Sequence, residues 1–304
     1  MRAAALSSFG LPEVLEVTER EKPSPGPGEV RVRVRAAGVL PFDVRVRKGW
    51  TPPALKLDLP VVPGNEFAGV VDELGEGVTG FAVGDEVMGY CMLGAYAEWL
   101  VVSSEQVVAK PAAMPWEIAA GYPSNSQGAR MALEAIGVGR GDTVLIHAAA
   151  GGLGTFSVQL AQAMGADTVI GTASETNHDY LRSLGVVPVT YGDGLVERVR
   201  EVAPWGIDAA LDAAGPEALR ASAELVENRQ RIRTMISFEA AEELGVPDLT
   251  GTRSAERLAE LVTLHSEGKI KINVRATYSL EEVVKAHRDV ESGHGRGKVV
   301  LLID

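Results

Sequence analysis

The sequence predicts an α/β protein in which a doubly wound parallel sheet is accompanied by a second, β-rich domain. Two observations lead to this prediction. The first third of the chain holds short strand-like segments separated by dense glycine and proline turns, which is typical of a barrel-like domain. From Asp142 onward, strand-like and helix-like segments alternate, which is typical of parallel strands joined by crossover helices.

The β-rich part is clearest at residues 30–35, where Val and Arg alternate strictly. This period predicts a strand with one buried face. The segment 31–48 holds several arginines that alternate with valines, so we expect these arginines on the solvent face of a strand rather than in a phosphate clamp. Further strands are predicted at residues 67–72 and 96–102.

The second part begins with an alanine-rich helical pattern over residues 115–133, which Pro123 must interrupt. Strands are then predicted at residues 143–147, 168–172, 187–191, 207–212 and 231–237. Helices are predicted at residues 155–164, 177–184, 195–202 and 216–226. In the last stretch, residues 255–266 and 280–292 are predicted helical, 270–278 extended and 298–303 a strand, and we expect this tail to complete the first domain.

The sharpest motif is the glycine loop, residues 147–154, which reads His-Ala-Ala-Ala-Gly-Gly-Leu-Gly between a buried strand and a helix. A dinucleotide pyrophosphate must approach the backbone at a helix amino end, and large side chains would block it. Positions 149, 151 and 154 fit the spacing G-x-G-x-x-G with Ala first. The alternative is a tight turn that only packs helix on sheet. The predicted cofactor contacts here are Ala149, Ala150, Gly151, Gly152, Leu153 and Gly154.

The choice of nucleotide depends on the residues after the second strand. Twenty residues beyond the last glycine of the loop stands Ser174, whose hydroxyl suits the 2′-phosphate of NADP. His178 and Arg182 add positive charge, or belong to a solvated helix face. Tyr191 packs against the adenosine, or only against the strand end. Glu175 is the alternative, because a carboxylate there would favour NAD, but we expect NADP(H).

Composition narrows the function class. The chain has 304 residues and a net charge of -12, which argues against a nucleic-acid surface because phosphate binding needs clustered positive charge. The single cysteine, Cys91, excludes a disulfide within the chain and favours a reducing, cytoplasmic location. No signal peptide or membrane span is expected, because the apolar runs are too short.

Several segments together resemble the medium-chain dehydrogenase/reductase superfamily, and within it the zinc-free quinone oxidoreductase-like branch. They are the glycine loop and residues 36–43, 62–71, 80–87 and 295–301. The resemblance covers essentially the whole chain. It implies a Rossmann NADP-binding domain at residues 118–253 and a GroES-like substrate domain at residues 1–117, completed by 254–304.

The resemblance also bears on metals. Zinc relatives in this superfamily carry Cys near position 40 and His at position 65, where this chain has Leu40 and Asn65. Neither side chain is a good zinc ligand. The four-cysteine structural lobe of those relatives cannot form from one cysteine. We therefore expect no metal site, and we expect Cys91 to be a small core residue rather than a reactive thiol.

Without a metal, the chemistry that the resemblance implies is hydride addition to a quinone or a conjugated carbonyl, aided by positioning and hydrogen-bond donors. No catalytic residue is assigned, and the proton comes from solvent or from a hydroxyl. The candidate substrate-pocket residues are Leu40, Asp43, Trp50, Tyr90, Tyr122 and Gln127. Further candidate cofactor contacts are Ser126, Thr172, Ala214, Ser237, Phe238 and Lys298, the last being a surface lysine in the alternative interpretation.

Departures from the family pattern keep other functions open. Relatives commonly carry Asn at position 40, and residues 124–130 depart from the usual Gly-x-Thr-Ala segment. These changes are compatible with an enoyl reductase that tailors a biosynthetic intermediate, or with an NADPH-binding sensor that has lost turnover. The resemblance also implies a homodimer, because Rossmann sheets in this family often pair edge to edge. No nucleic-acid or membrane partner is expected.

Overall fold

The computed structural model describes residues 1–51, 57–293 and 295–304. The chain divides into two units. Unit 1 comprises Met1–Ser124, Ser254–Thr263 and Asn273–Asp304. Unit 2 comprises Asn125–Arg253 and Leu264–Ile272.

Short 3₁₀ turns separate some of the strands and helices. The strands are β1 (Arg2–Leu6), β2 (Leu15–Glu19), β3 (Glu29–Val39), β4 (Glu66–Leu74), β5 (Glu86–Tyr90), β6 (Trp99–Ser103), β7 (Val107–Ala109), β8 (Thr143–Ile146), β9 (Thr168–Ala173), β10 (Val187–Thr190), β11 (Ala209–Asp212), β12 (Ile232–Thr234), β13 (Val274–Ser279) and β14 (Lys298–Leu302). The α-helices are α1 (Pro41–Arg47), α2 (Trp116–Ala120), α3 (Pro123–Ala135), α4 (Gly152–Ala163), α5 (His178–Ser183), α6 (Leu195–Val202), α7 (Pro216–Leu225), α8 (Phe238–Leu244), α9 (Ala255–Ser266) and α10 (Val283–Glu291).

Unit 1 is built around the long strand β3. This strand pairs antiparallel with β4, β6 and β14, in a mixed sheet whose main path runs β13-β14-β3-β4-β5-β7. Val30, Val32 and Val34 are buried while Arg33 is exposed, which confirms the predicted alternation. The valines belong to an apolar core that also holds side chains from β4, β14 and α10.

The alternation beyond β3 was misinterpreted as a longer strand. The chain turns into α1, because Pro41 suits the first helical position and the carboxylate of Asp43 accepts the N–H of Leu40. Arg47 is consequently not on a solvent face but fully buried. Its guanidinium donates to the carbonyl of Gly10 at 2.6 Å and to Glu291 at 2.8 Å.

Unit 2 contains the predicted parallel sheet, in the order β10-β9-β8-β11-β12. Each of the five strands contributes at least one buried side chain to one apolar core, to which α6, α7 and α8 also contribute. The break at Pro123 is confirmed, because α2 ends at Ala120 and α3 begins with the proline. Among the described residues, no helix has the length and apolarity needed to span a membrane.

The strand predicted at residues 231–237 is much shorter than expected. It ends at Thr234, whose Oγ1 accepts the N–H groups of Ile236 and Ser237 at 3.1 and 2.9 Å. A threonine side chain that binds the backbone two and three residues ahead turns the chain, and α8 then begins at Phe238.

The strand order determines where a ligand can approach unit 2. The chain runs from β8 outward through β9 to β10, and then returns to the other side of β8 with β11 and β12. The direction of winding therefore changes between β8 and β11. Ligands of open α/β sheets bind outside the carboxyl ends of the strands at such a switch point. The glycine loop follows β8 at this place.

Candidate functional site

The glycine loop in unit 2 has a backbone path that excludes larger residues. A Cβ atom on Gly154 would lie 2.3 Å from the carbonyl oxygen of Ala148 and 2.6 Å from Cα of Ala149. A Cβ on Gly171, in β9, would lie 2.7 Å from Cβ of Ala149. Both glycines are thus required for the close packing of the loop against α4 and β9.

Hydrogen bonds to β9 hold the loop in place. The N–H of Ala149 donates to the carbonyl of Thr172 at 2.9 Å, and the N–H of Ala148 donates to the Thr172 hydroxyl at 3.2 Å. Gly151 then stands at the N-cap of α4 without any side-chain cap. Residues 148–152, which lead into this twelve-residue helix, are all Ala or Gly, and such a helix amino end suits an anionic group such as a pyrophosphate. The predicted residues 149–154 are therefore together at one helix end.

His147, the first residue of the loop, is part of the support and not of the surface. It is fully buried, with Nδ1 3.2 Å from the Thr172 hydroxyl and Nε2 2.9 Å from the Ser222 hydroxyl. Loss of solvation lowers its pKa to about 4, although the nearby Asp212 acts in the opposite direction. The neutral imidazole thus links β8 to β9 and α7.

The buried Asp212 organises the ends of β11 and β12. Its Oδ1 accepts the N–H groups of Ala214 and Gly215 at 2.8 and 3.0 Å. Its Oδ2 accepts the hydroxyls of Thr234 and Ser237, both at 2.7 Å. Sequence analysis identified Ala214 and Ser237 as cofactor contacts and placed Asp212 at the end of a predicted strand, but it assigned this carboxylate no role.

Some of the predicted cofactor contacts of unit 2 are exposed, and others are buried. Ala214 and Phe238 are exposed, and 42% of Phe238 is open to solvent. Ser237 is buried and its hydroxyl is bonded to Asp212. Ser126 and Gln127, in α3, are completely buried. A contact from these buried residues to a cofactor therefore stays a prediction.

Ser174 directly follows β9, as a residue that binds the ribose should. Its hydroxyl lies 2.9 Å from the hydroxyl of Thr176 and accepts the amide N–H of Asn177 at 3.1 Å. Glu175, the alternative residue for NAD, is exposed. A cluster of hydroxyls and an amide supplies donors for a phosphate, whereas a carboxylate would repel it.

The strand β10 ends beside the same region, and an arginine that sequence analysis missed stabilises it. The guanidinium of Arg198 donates to the carbonyls of Thr190 and Asp193 at 3.0 and 2.7 Å, and also binds those of Tyr191 and Gly192. His178 lies on the same side, with Nε2 3.4 Å from the Thr190 hydroxyl. Tyr191 is 53% exposed, so its ring is accessible for stacking.

Arg182 takes the alternative role that the sequence left open. Its guanidinium pairs with Asp179 at 2.7 Å on the exposed face of α5. This is a surface ion pair within one helix. Arg182 is therefore part of a solvated helix face.

Unit 1 contains a polar cluster around Asp43, which is fully buried. Its carboxylate accepts the N–H of Leu40 at 2.9 Å, the hydroxyl of Tyr96 at 2.8 Å and the amide N–H of Asn65 at 2.6 Å. Burial raises the pKa of Asp43 to about 6, although the three hydrogen bonds lower it, and the charge of Glu66 adds to the rise. Sequence analysis named Asp43 and Leu40, but Tyr96 lies far away in sequence and was missed.

The other predicted pocket residues of unit 1 have different surroundings. Trp50 packs edge-on against Phe42, with ring centroids 5.6 Å apart, and Arg45 lies over its ring at 4.1 Å. Tyr90 is buried at the end of β5. Tyr122 is fully buried, and its hydroxyl donates to the carbonyl of Leu261 at 2.6 Å. Burial raises the pKa of Tyr122, so this placement supports a structural role and not that of a proton donor.

Lys298 corrects both interpretations of the sequence. It is neither a surface lysine nor open to a phosphate, because only 3% of it is exposed. Its ammonium is paired at 2.5 Å with the fully buried Glu66, whose other oxygen accepts the N–H of Ser124 at 2.8 Å. A Cβ on Gly38 would lie 2.1 Å from the Glu66 carboxylate. The pair thus joins β3, β4 and β14.

Within residues 1–51, 57–293 and 295–304, no group of three or more His, Cys, Asp or Glu side chains is arranged to hold a metal ion. Cys91 is buried, as expected for a core residue, with Sγ 3.4 Å from the carbonyl of Gly64.

Two family profiles match the chain. One is described as the alcohol dehydrogenase GroES-like domain and matches residues 26–112. The other is described as zinc-binding dehydrogenase and matches residues 164–301.

Curated relatives match most of the chain. The synaptic vesicle membrane protein VAT-1 homolog of Rattus norvegicus is 31% identical over 281 residues, which is 80% of this chain and 70% of that protein. The homolog of the same name from Danio rerio is 31% identical over 282 residues. That match covers 80% of this chain, and the chain spans 58% of the relative's length.

Solved structures match over the full length. The quinone oxidoreductase from Coxiella burnetii is 32% identical with a TM-score of 0.90, covering 100% of this chain and 99% of that one. An NAD-dependent alcohol dehydrogenase is 33% identical with a TM-score of 0.88, covering 100% of both chains. The Escherichia coli quinone oxidoreductase complexed with NADPH is 25% identical with a TM-score of 0.87, covering 99% of this chain and 100% of that one.

Proposed function

The chain belongs to the medium-chain dehydrogenase/reductase superfamily, and from that premise we propose that it transfers a hydride from NADPH to a quinone or an α,β-unsaturated carbonyl. The class of oxidoreductase follows from the family and from the quinone oxidoreductases among its structural neighbours. The choice of cofactor, the acceptor and the independence from zinc are the proposal.

The observation that carries the proposal is the glycine loop at the switch point of unit 2. Its backbone path requires Gly154, since any Cβ there would meet the carbonyl of Ala148. This leaves the uncapped amino end of α4 lined by small residues. Such a cradle fits the pyrophosphate of a dinucleotide. The proposed contacts are Ala149, Ala150, Gly151, Gly152, Leu153, Gly154, Thr172, Ser126, Ala214, Ser237 and Phe238.

The preference for NADPH over NADH rests on the end of β9. Ser174 and its neighbours Thr176 and Asn177 offer hydroxyl and amide groups to a 2′-phosphate. His178 and the exposed ring of Tyr191 border the same region. A neighbour that uses NAD shares the fold, so the fold does not choose the nucleotide and these side chains must.

Hydride donation is the chemistry that NADPH supplies when bound. The chain contributes binding and orientation of the cofactor, and hydrogen-bond donors for the developing oxyanion of the acceptor. Zinc independence is proposed because Leu40 has no donor atom and the amide of Asn65 is a poor zinc ligand. A homodimer is part of the proposal, and it rests on the family alone.

The experiment that tests this function follows NADPH oxidation by absorbance with a panel of quinones, α,β-unsaturated ketones and an enoyl thioester, with NADH in parallel. Turnover of quinones or enones with NADPH, insensitive to a chelator, is the expected result. We expect Ser174→Ala to weaken NADPH binding about tenfold, through the loss of a hydrogen bond to a charged group, while NADH binding is unchanged. Thr263→Ala, on an exposed site of unit 1, is the matched control.

Other results of this experiment would support one of the alternative functions. Turnover of the enoyl thioester alone would replace the proposal with the biosynthetic enoyl reductase. Tight NADPH binding without turnover of any acceptor would replace it with the sensor. A preference for NADH that survives Ser174→Ala would overturn the role of Ser174.

A further inference from the structure

The carboxylate of Asp43 is an unusual group to bury. No Lys, Arg or His side chain of residues 1–51, 57–293 and 295–304 forms an ion pair with it. Its partners are neutral: the N–H of Leu40, the hydroxyl of Tyr96 and the amide of Asn65. Burying a charge without a cation beside it is unfavourable. The ionised carboxylate therefore depends on these hydrogen-bond donors, and it determines how the side chains that carry them are oriented.

The neighbour it orients is Asn65. The amide nitrogen Nδ2 donates to Oδ1 of Asp43 at 2.6 Å. The backbone carbonyl of Asn65 accepts from the N–H of Cys91 at 3.1 Å and from the Ser124 hydroxyl at 3.0 Å. Both the backbone and the side chain of Asn65 are therefore held by hydrogen bonds. Within the described part of the chain, no donor reaches the amide oxygen Oδ1, and Asn65 is 4% exposed. An ionised Asp43 thus leaves Asn65 presenting a hydrogen-bond acceptor.

A proton on Asp43 reverses this arrangement. Oδ2 already accepts two hydrogen bonds, from Leu40 and Tyr96, so a proton taken up from solvent resides on Oδ1, which faces Asn65. Two donors cannot face each other. The amide of Asn65 then turns so that its oxygen accepts from the carboxylic acid, and Nδ2 takes the place that the oxygen had.

We propose that Asp43 is a positioning residue for the reduction proposed above: ionised, it makes Asn65 present its amide oxygen to the substrate, and protonated, it makes Asn65 present its amide N–H. The inference rests on the proposed function. Hydride addition to a quinone or enone builds negative charge on the carbonyl oxygen, which an N–H donor stabilises and a second carbonyl oxygen repels. The substrate class that this site favours when Asp43 is protonated is a carbonyl acceptor.

The amide of Asn65 should turn near the pH at which Asp43 titrates, and that pH depends on the groups around Asp43. Burial raises the pKa of Asp43 to about 6. Burial and the adjacent carboxylate raise the pKa of Tyr96 well above its usual range, and burial lowers that of His287, which packs edge-on against Tyr96, to about 3. Among the residues that the structure describes, the titratable or charged groups facing the cluster are Tyr96, Glu66 with its partner Lys298, His287 and Cys91.

The test measures kcat/KM for 1,4-naphthoquinone from pH 5 to 8 at saturating NADPH. For the wild-type protein we expect a fall of about 10- to 100-fold as the pH rises through 6, the size of one hydrogen bond to a charged group. In Asp43→Asn, the new amide oxygen accepts from Leu40 and Tyr96 while the amide N–H faces Asn65. The kcat/KM of this variant should therefore equal the low-pH value of the wild type at every pH. Tyr96→Phe removes a donor to the carboxylate and should move the midpoint to higher pH. Glu281→Gln, an exposed acid in the same unit, is the control.

A second readout is independent of turnover. The side-chain ¹⁵N amide signals of Asn65, assigned by Asn65→Ala in the cofactor-free protein, should titrate with a midpoint near pH 6 in the wild type and not in Asp43→Asn. The inference is overturned if these signals do not titrate, or if folded Asp43→Asn retains the wild-type pH profile or stays at the high-pH rate. Absence of turnover with every acceptor would defeat the proposed function, while the amide titration still decides whether Asp43 turns Asn65.

Discussion

At the scale of single residues, the glycine loop depends on one position. Replacing Gly154 by Ala puts a Cβ 2.3 Å from the Ala148 carbonyl and 2.6 Å from Cα of Ala149, which are backbone atoms and cannot move alone. We expect Gly154→Ala to destabilise the protein by about 2–4 kcal/mol and to abolish NADPH binding. Urea denaturation and fluorescence titration with NADPH measure the two effects.

A matched glycine in the same unit provides the control. A Cβ on Gly139 meets no atom within 4 Å, and we expect Gly139→Ala to change stability by less than about 1 kcal/mol and to bind NADPH normally. Equal behaviour of the two variants would show that the space around Gly154 does not determine the loop.

His287 in unit 1 makes the stability depend on pH. It is fully buried, and neither ring nitrogen has a hydrogen-bond partner among the described residues. Burial and the nearby Arg47 lower its pKa to about 3 from the 6.5 of an exposed histidine. The unfolded chain therefore binds a proton that the folded one does not. Stability from the neutral ring is present above pH 6.5 and is lost as the pH falls toward 3.

The corresponding variant is His287→Leu, which cannot take up a proton. Between pH 7.5 and pH 5 we expect the wild type to lose about 2 kcal/mol more stability than this variant, or about 4 °C in Tm. At pH 7.5 the variant should be at least as stable as the wild type, because no hydrogen bond is lost. Thermal denaturation at both pH values measures this, with the partly exposed His178→Leu as control. An equal loss in all three proteins would contradict the assignment.

At the scale of elements, the edge strand β12 is closed by a side chain. Met235 donates its N–H to the carbonyl of Asp212. The backbone N–H and C=O groups of odd-numbered residues in β12 therefore point toward β11, and those of even-numbered residues point away from the sheet. The outward carbonyls of Gln230 and Ile232 accept from the guanidinium of Arg233 at 3.0 and 2.7 Å. This cap disfavours pairing of β12 with the same edge of a second copy.

Removing the cap should open this edge. We expect Arg233→Ala to lower the free energy of unfolding by about 1–3 kcal/mol, the range for a buried acceptor left without its partner, and to increase self-association. Urea denaturation and sedimentation velocity measure these changes. Arg220→Ala is the control, because Arg220 is exposed and lies 3.8 Å from Glu243. If Arg233→Ala is as stable and as monodisperse as the control, the cap has no such role.

At the scale of the whole molecule, the balance of charge governs solubility. The chain has 41 acidic and 29 basic residues, and its calculated isoelectric point is about 5.0. Repulsion between like-charged molecules therefore vanishes near pH 5. His147 and His287 lose stabilising effect as the pH falls toward the same value, since both pKa values are lowered by burial.

We accordingly expect a solubility minimum close to pH 5, with turbidity that decreases again below pH 4 as positive charge accumulates. Light scattering from pH 3.5 to 8 measures it, and raising the salt concentration at pH 7.5 serves as the control for screening. A minimum at neutral pH would indicate that an exposed apolar surface, and not net charge, determines solubility.

Much of the fold could be predicted from local patterns. The parallel sheet of unit 2, the break at Pro123 and the strand at residues 30–35 follow from hydrophobic period and from proline, which act within a few residues. The length of β12 could not be predicted, because the hydroxyl of Thr234 turns the chain only once Asp212 holds it. Helix α1 was also missed, since its valines and arginines alternate as a strand would.

The sequence by itself determined the glycine loop and its place at a helix amino end, because small residues at fixed spacing have a direct steric meaning. It also determined the family, through ordered motifs over the whole chain. Only the tertiary structure decided that Lys298 pairs with Glu66, that Arg47 is buried, and that Tyr96 and Asn65 meet at Asp43. The physical reason is that pairing and burial depend on groups 22 to 244 residues apart in sequence. No local pattern records such partners.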